Sequence, residues 1–242
     1  MRLLAVDTAT EACSAALWLD GVIVERFEVV GRTHTERLLP LLQALLADAG
    51  IVPAQLDGLV AGIGPGSFAG VRIGVGLIKG LALGLDRPAA GITSLAMLAQ
   101  GAIRAGAERV LPCIDARMSE IYLGAFERGA EGRARALQAD QVVPPALADL
   151  GHLAGAWTAV GTGWGTYQAI LRERLPGELL SIDGAALPRA ADALSLALPL
   201  FESGQAISAD ELAPAYLRDR VALTLVEQGA ARVAKAAAVR VR

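Results

Sequence analysis

The same order of predicted elements occurs twice along the chain. In the first half, an apolar strand over residues 3–6 ends at Asp7, a short turn carries Glu11, and a new strand begins. In the second half, an apolar strand over residues 110–114 ends at Asp115, and a turn with a glutamate again leads into a strand. Apolar strands that alternate with helices are typical of sheets covered on both faces. The repeat therefore predicts an α/β fold with two related lobes, each a mixed sheet flanked by helices.

A second shared feature follows later in each half, where a strand enters a Gly-x-Gly turn at the start of a helix. The turn of the first half runs from Gly64 to Gly66, and that of the second half is Gly161-Thr162-Gly163. Before its turn, the second half is predicted to hold strands at residues 121–126 and 136–143.

Three segments follow from this order. Residues 1–105 form an N-terminal lobe that we expect to dock a partner, and residues 106–218 form a C-terminal lobe. Residues 219–242 form a basic helix or tail without a strand pattern. Residues 218–242 carry a net charge of +4, whereas the whole chain carries −3. Clustered arginines often contact phosphate, and a solvated terminal helix is the alternative.

Composition narrows the classes of protein. The chain has 242 residues and is 54% hydrophobic, with a mean hydropathy of +0.46. A charged residue or glycine nevertheless interrupts each apolar stretch before the ~18 to 20 residues of a membrane helix. The first apolar run is too short for a signal peptide. Cys13 and Cys113 lie in predicted strands, which favours buried reduced thiols. We therefore expect a cytoplasmic protein without membrane contact.

A helix predicted over residues 68–85 holds five glycines, which fall within an arc of about 160° on one face. Glycine inside a helix costs roughly 1 kcal/mol relative to alanine, so five cost on the order of 5 kcal/mol. Close approach of another element is the usual compensation. That element is either the sheet of the same lobe or a helix of a partner.

A second helix, predicted over residues 35–49, carries a broad leucine stripe. Its six leucines cover an arc of about 160°, which is wide for a helix that covers one sheet face. An exposed part of such a stripe would have to be covered by another protein. We therefore predict a partner interface on both helices, formed by Leu38, Leu41, Leu42, Leu45, Gly70, Gly74, Gly76, Gly80 and Gly84.

The glycine turns and the aspartates at strand ends could also face a nucleotide. Backbone N–H groups at a helix start can bind phosphate, although aspartate and glycine are also common in ordinary turns. Residues 64–69 fit the dinucleotide-binding pattern only loosely, and the Gly-Lys-Ser/Thr sequence of a P-loop does not occur. The nucleotide-facing candidates are Asp7, Thr8, Thr10, Gly161 and Gly163.

Residue types for metal binding or nucleophilic catalysis do not cluster in the sequence. A helical metal pair would need a second ligand four residues after His34, but that residue is Leu38, and His152 lies in the other half. Ser67 does not stand in a G-x-S-x-G elbow, so N-capping is its expected role. We expect no metal site and no catalytic residue.

Five segments of the chain resemble the TsaB (YeaZ) family, within the superfamily of actin, Hsp70 and sugar kinases. The resemblance covers about residues 1–218, and its most specific run lies between Gly64 and Gly74. Ala69 stands where the family usually has threonine, so a hydroxyl contact is missing there. The segments are LAVDTATEACS at residues 4–14, HTE and LLP at 34–40, GPGSFAGVRIG with KG at 64–80, DAR with EIY at 115–122, and PAYLR at 214–218.

The resemblance implies a non-catalytic subunit of the machinery that makes threonylcarbamoyladenosine in tRNA. In this machinery TsaD, which carries a His-x-x-x-His metal motif, transfers the threonylcarbamoyl group from its adenylate to the adenosine beside the anticodon. TsaE, an ATPase, joins the assembly. TsaB pairs with TsaD through N-lobe helices and self-associates through the same surface when alone.

The expected partners are therefore a TsaD-like subunit, a TsaE-like ATPase, a second copy when the chain is alone, and tRNA through the complex. We expect no cofactor on the chain alone, and a nucleotide at the interface of the complex stays open. Two rival functions also stay open. A nucleotide-dependent kinase of the same fold would use Asp7 and the turn at Gly161, and a glycoprotease is disfavoured by the residues.

Overall fold

The computed structural model describes residues 1–217, so the predicted tail at residues 219–242 lies outside the described residues. The first half alternates strands and helices after an initial pair of hairpins. Its elements are β1 (Arg2–Asp7), β2 (Ala12–Leu19), β3 (Val22–Val29), α1 (His34–Asp48), β4 (Gly58–Gly62), α2 (Phe68–Leu85), β5 (Ala89–Ile92) and α3 (Ser94–Arg104).

The second half has more and shorter strands. Its elements are β6 (Arg109–Arg117), β7 (Glu120–Leu123), β8 (Phe126–Arg128), β9 (Ala134–Ala136), β10 (Gln141–Val143), β11 (Ala156–Val160), α4 (Thr162–Arg174), β12 (Glu178–Asp183) and α5 (Ala190–Glu202).

The two sheets are built in the same way. The first has the strand order β3-β2-β1-β4-β5, with β2 antiparallel to its neighbours and β4 and β5 parallel to β1. The second has the order β10-β7-β6-β11-β12, with an antiparallel side and a parallel side, and β8 and β9 extend it beside β6. This confirms the predicted α/β fold with two related mixed sheets flanked by helices.

Two predicted strands of the second half are wrong. The strand predicted at residues 121–126 is divided between β7 and β8, and the strand predicted at 136–143 is divided between β9 and β10. The reason is that β6 pairs with β7 along its C-terminal part and with β8 at its N-terminal end. β8 nevertheless continues β7 in the same register along β6, with a break at Gly124 and Ala125, where the N–H of Gly124 donates to the carbonyl of Pro112.

Helices α3 and α5 are exchanged between the halves. α5, from the second half, packs on the first sheet, where Ala193 and Leu194 join the core around Leu3 and Val60. α3, from the first half, packs on the second sheet, and the two helices contact each other. α1 and α2 cover the remaining face of the first sheet, and α4 covers that of the second. Each half therefore completes the core of the other.

Helix α2 is more apolar than we predicted from the chain. It has 18 residues and a mean hydropathy of 1.6, so by length and composition it could cross a membrane, alone in this respect among the described residues. The buried core helix of a globular lobe passes the same test, and one face of α2 packs on β4. The expectation that no apolar stretch reaches this length is therefore corrected.

Candidate functional site

Helix α2 begins and ends with well-defined caps. Its N-cap is Ser67, whose Oγ accepts a hydrogen bond from the N–H of Gly70 at 3.3 Å, as expected from the sequence. Its C-cap is Asp86, in the left-handed conformation with φ of 51°. The helix therefore presents a fixed start to the turn that follows β1.

The first glycines of α2 pack against that turn. A Cβ at Gly70 would lie well inside contact distance of the Thr8 carbonyl oxygen, and a Cβ at Gly74 would lie 2.7 Å from Thr8 Oγ1. The Thr8 hydroxyl donates to the Gly70 carbonyl at 2.7 Å. Gly70 and Gly74 are buried inside their own lobe, so the prediction that they contact a partner is corrected.

The later glycines of α2 point into open space. A Cβ at Gly76, Gly80 or Gly84 would meet nothing within 4 Å, and Leu83 between them is 57% exposed. At helical spacing these residues share one side of α2, opposite its buried side. We call this surface the exposed α2 face, and its members are Ala69, Ile73, Gly76, Gly80, Leu83 and Gly84.

The leucine stripe of α1 faces inward. Leu38, Leu41, Leu42 and Leu45 lie in the core under the first sheet and are at most 5% exposed. Only Leu39, among the leucines of α1, is exposed. The prediction that the four buried leucines contact a partner is therefore corrected, because a stripe 160° wide is filled by packing against both the sheet and α2.

Asp7, at the end of β1, is sealed under the start of α2. Its side chain is fully buried, Oδ2 accepts only a 3.4 Å hydrogen bond from the N–H of Ala9, and Oδ1 has no partner among the described residues. Desolvation by burial raises the pKa of this carboxyl to about 7. Gly62 lies against Oδ1 so closely that a Cβ there would overlap it.

Four of the five nucleotide-facing candidates do not face any opening. Asp7 and Thr8 are buried, and so are Gly161 and Gly163, whose missing side chains let α4 approach the carbonyl and the Sγ of Cys113. The prediction that these four residues face a nucleotide is therefore corrected. Asp7 and Thr8 are covered by packing, and the two glycines allow α4 to pack closely on the sheet. Thr10 alone lies on the wall of the open cleft.

That cleft lies between the two halves and has a volume of about 790 Å³. Its walls come from the turn after β1, the loop before α1, the first turn of α2, the end of β6 and the segment 214–217. Sequence reasoning missed most of these residues as a site, although several lie in the segments that carry the family resemblance.

A charged group crosses the cleft from one half to the other. Arg117 donates to Glu11 at 2.9 Å and to Asp115 at 3.0 Å, and its backbone N–H donates to Asp115 at 2.8 Å. Three successive residues of this turn have positive φ: 60° at Arg117, 55° at Met118 and 60° at Ser119. Residues with a Cβ rarely adopt such values. The turn between β6 and β7 is therefore strained at the cleft.

Helix α2 also holds the C-terminal segment in place. Lys79 donates to the carbonyl of Asp210 at 2.9 Å. Arg72 lies between the rings of Phe68 and Tyr216, 3.4 Å and 5.0 Å from their centroids, and donates to the Tyr216 hydroxyl. Arg72 and Lys79, which belong to a segment that carries the family resemblance, therefore hold residues 210–216 against α2 beside the cleft.

The start of α5 is capped by the other half. Ser14 Oγ accepts from the N–H of Ala190 at 3.0 Å, and Glu25 accepts from the N–H of Ala191 and from the guanidinium of Arg189 at 2.6 Å. Together with the Arg117 group, these bonds link the two halves at two separate places.

Side chains that commonly bind metal ions do not cluster within residues 1–217. No group of three or more His, Cys, Asp or Glu side chains that could hold a metal ion occurs there. His34 is buried at the start of α1, where its Nε2 lies 3.1 Å from the carbonyl oxygen of Ala12.

The duplicated sheets define a two-lobed α/β protein, in which the acid at the end of β1 is closed off from the cleft. Residues 26–224 match the family model described as TsaD: tRNA N6-adenosine threonylcarbamoyltransferase. TsaB, the tRNA threonylcarbamoyladenosine biosynthesis protein of Escherichia coli K12, is 42% identical over 225 residues, which are 92% of this chain and 96% of that protein. The chain belongs to the TsaB (YeaZ) family.

Two further relatives, one known from its sequence and one from its solved structure, support the same family. TsaB of Haemophilus influenzae is 39% identical over 229 residues, 91% of this chain and 95% of that protein. The solved structure described as YeaZ from Pseudomonas aeruginosa is 42% identical, with a TM-score of 0.82, and the match covers 89% of this chain and 99% of that one.

Proposed function

We propose that this chain takes part in threonylcarbamoyladenosine biosynthesis for tRNA as a docking subunit that is not catalytic by itself. The names of its relatives support the pathway. The observation that carries the docking role is the exposed α2 face, an apolar surface with a glycine ridge on a helix otherwise anchored in the core.

The chemistry of this face suits another helix. Gly76, Gly80 and Gly84 leave the backbone of α2 open to close approach, and Leu83 stands beside them as an apolar anchor. Contiguous exposed apolar surface of this kind is typical of protein interfaces. We propose that it docks a TsaD-like catalytic subunit, and that a second copy of this chain takes the same place when the partner is absent.

The sealed acid supports a role without catalysis. A kinase of this fold would need its strand-end carboxylate and its glycine turns open to the cleft. Here Asp7, Gly161 and Gly163 are buried, and bonds from Ser14 and Glu25 to α5 hold the halves together. We propose that the chain alone carries no cofactor and turns over no nucleotide, with a nucleotide at most at the interface of the complex.

The rest of the assembly follows from the same role. We propose that a TsaE-like ATPase joins through the TsaD-like subunit, that tRNA is contacted through the complex, and that the protein works in the cytoplasm.

The test is a binding experiment with the TsaD-like subunit of the same genome. We expect Leu83→Arg and Gly80→Leu to abolish the complex and to turn the isolated dimer into a folded monomer by light scattering. Leu180→Arg is the matched control, because Leu180 is 64% exposed on β12 in the other half. Unchanged binding by the α2 variants, or ATP turnover by the chain alone, would contradict the proposal.

A further inference from the structure

The mouth of the interlobe cleft has the composition of an interaction hot spot. Three large apolar side chains around it are mostly exposed: Phe68 at 54%, Met118 at 60% and Tyr216 at 57%. Phe68 and Tyr216 are the exposed aromatic residues of the described chain, and both stack on Arg72. Aromatic, methionine and arginine side chains are enriched at the centres of protein interfaces.

The charge of the cleft limits what it can hold. Its lining has three guanidinium groups and two carboxylates, so its formal charge is +1 with histidine neutral. Both carboxylates, Glu11 and Asp115, are already paired with Arg117. Arg32 has no hydrogen bond or ion pair within residues 1–217.

From these observations we infer that the cleft binds a segment of a partner protein that presents one carboxylate between apolar side chains. The carboxylate pairs with Arg32, and the apolar side chains contact Phe68, Met118 and Tyr216. A volume of about 790 Å³ suits a short segment or a small molecule. A surplus of one positive charge matches one carboxylate better than the several charges of a polyphosphate.

The strain at the β6–β7 turn supports this assignment. Met118 holds a left-handed conformation, which is unfavourable for a residue with a Cβ. Strained residues of this kind cluster at ligand-binding positions. The bonds of Arg117 to both halves fix the turn, so that the Met118 side chain stands at the cleft mouth.

This inference rests on the proposed function in one respect, that the chain works in an assembly with other proteins. Its test does not depend on the exposed α2 face. Photo-methionine replaces methionine in cells, and adducts of the full chain are mapped by mass spectrometry. The chain has three methionines, of which Met97 is buried and Met1 is exposed at the start of β1, outside the cleft lining. Met118→Leu therefore removes the label from the cleft alone.

We expect an adduct at Met118 to a segment of another protein that contains an acidic residue beside apolar ones. Arg32→Glu should reduce this adduct about tenfold, and Arg172→Glu, an exposed arginine on α4, should leave it unchanged. Leu83→Arg changes only the exposed α2 face. If this variant loses the TsaD-like partner and still forms the Met118 adduct, the two surfaces act independently. Lack of a Met118 adduct, an adduct to nucleotide, RNA or this chain itself, or an adduct insensitive to Arg32→Glu would overturn the inference.

Discussion

The two strand-end turns of the molecule have the same sequence pattern and opposite environments. After β1, Asp7 is fully buried, with one oxygen unpartnered among the described residues. In the turn at the end of β6, Asp115 is part-exposed on the cleft wall. Its carboxylate accepts two hydrogen bonds, one from the backbone N–H of Arg117 and one from its guanidinium. The first turn is closed by packing, and the second is held by charge.

The helix that follows each sheet explains the difference. Bare glycine backbone packs on the first turn, at Gly66 in the loop before α2 and at Gly70 and Gly74 within it, and Gly62 of β4 lies against Asp7. α4 approaches the second turn through Thr162, whose Oγ1 accepts from the N–H of Asp115 at 3.1 Å. A pattern of strand, aspartate and turn therefore does not determine whether the carboxylate reaches solvent.

The largest loss of stability by a substitution is expected where α2 touches the first turn. Gly70→Ala would drive its Cβ into the carbonyl oxygen of Thr8, a backbone atom that cannot move aside. We expect a loss of about 3 kcal/mol in the free energy of unfolding, measured by urea denaturation. Gly76→Ala is the control, since its Cβ meets nothing, and it should gain up to about 1 kcal/mol. Equal effects of the two changes would show that α2 does not close the first turn.

The next effect concerns the buried carboxyl. The folded pKa of Asp7, at about 7, lies above its ordinary value of 3.8. A raised pKa in an acid means that the folded state loses stability as pH rises from about 4 to 7, by up to about 4 kcal/mol. Asp7→Asn cannot ionise, so we expect it to be more stable than the parent at pH 8.5, with little difference at pH 4.

Asp115→Asn tests the other side of the comparison. Its carboxylate is paired with Arg117, so neutralisation should give no gain in stability at pH 8.5. A pH-independent difference between Asp7→Asn and the parent would mean that Asp7 is solvated, and that the first turn is open.

The sequence predicted the fold well and the site poorly, for physical reasons. The hairpin after β2 and the helix starts near Thr35 and at Phe68 follow from local patterns, because each element's period and caps lie within a few residues of sequence. Helix periodicity also found a glycine side of α2, but it could not tell which glycines meet Thr8 and which meet solvent. That distinction depends on the path of β1, some sixty residues earlier.

The exchange of α3 and α5 shows the same limit. Ser14 stands in a recognisable motif, but its role is to accept from the N–H of Ala190, 176 residues later. No local pattern specifies that contact. The cleft residues Arg72, Arg117 and Tyr216 were visible as parts of family-like segments, and only the structure brings them to one surface.

The smallest effect is expected in the strained turn after β6. Residues 8–11 of the first turn include no positive φ, whereas Met118 in the second has φ of 55°. Met118→Gly removes the Cβ that makes this conformation costly, roughly 1 to 2 kcal/mol, and the greater chain entropy of glycine offsets part of the gain. We therefore expect a net increase of about 1 kcal/mol in the free energy of unfolding by urea. Met118→Ala retains the Cβ and should show no such increase. If both variants are equally stable, the second turn is unstrained, and its conformation gives no support to a binding role at the cleft.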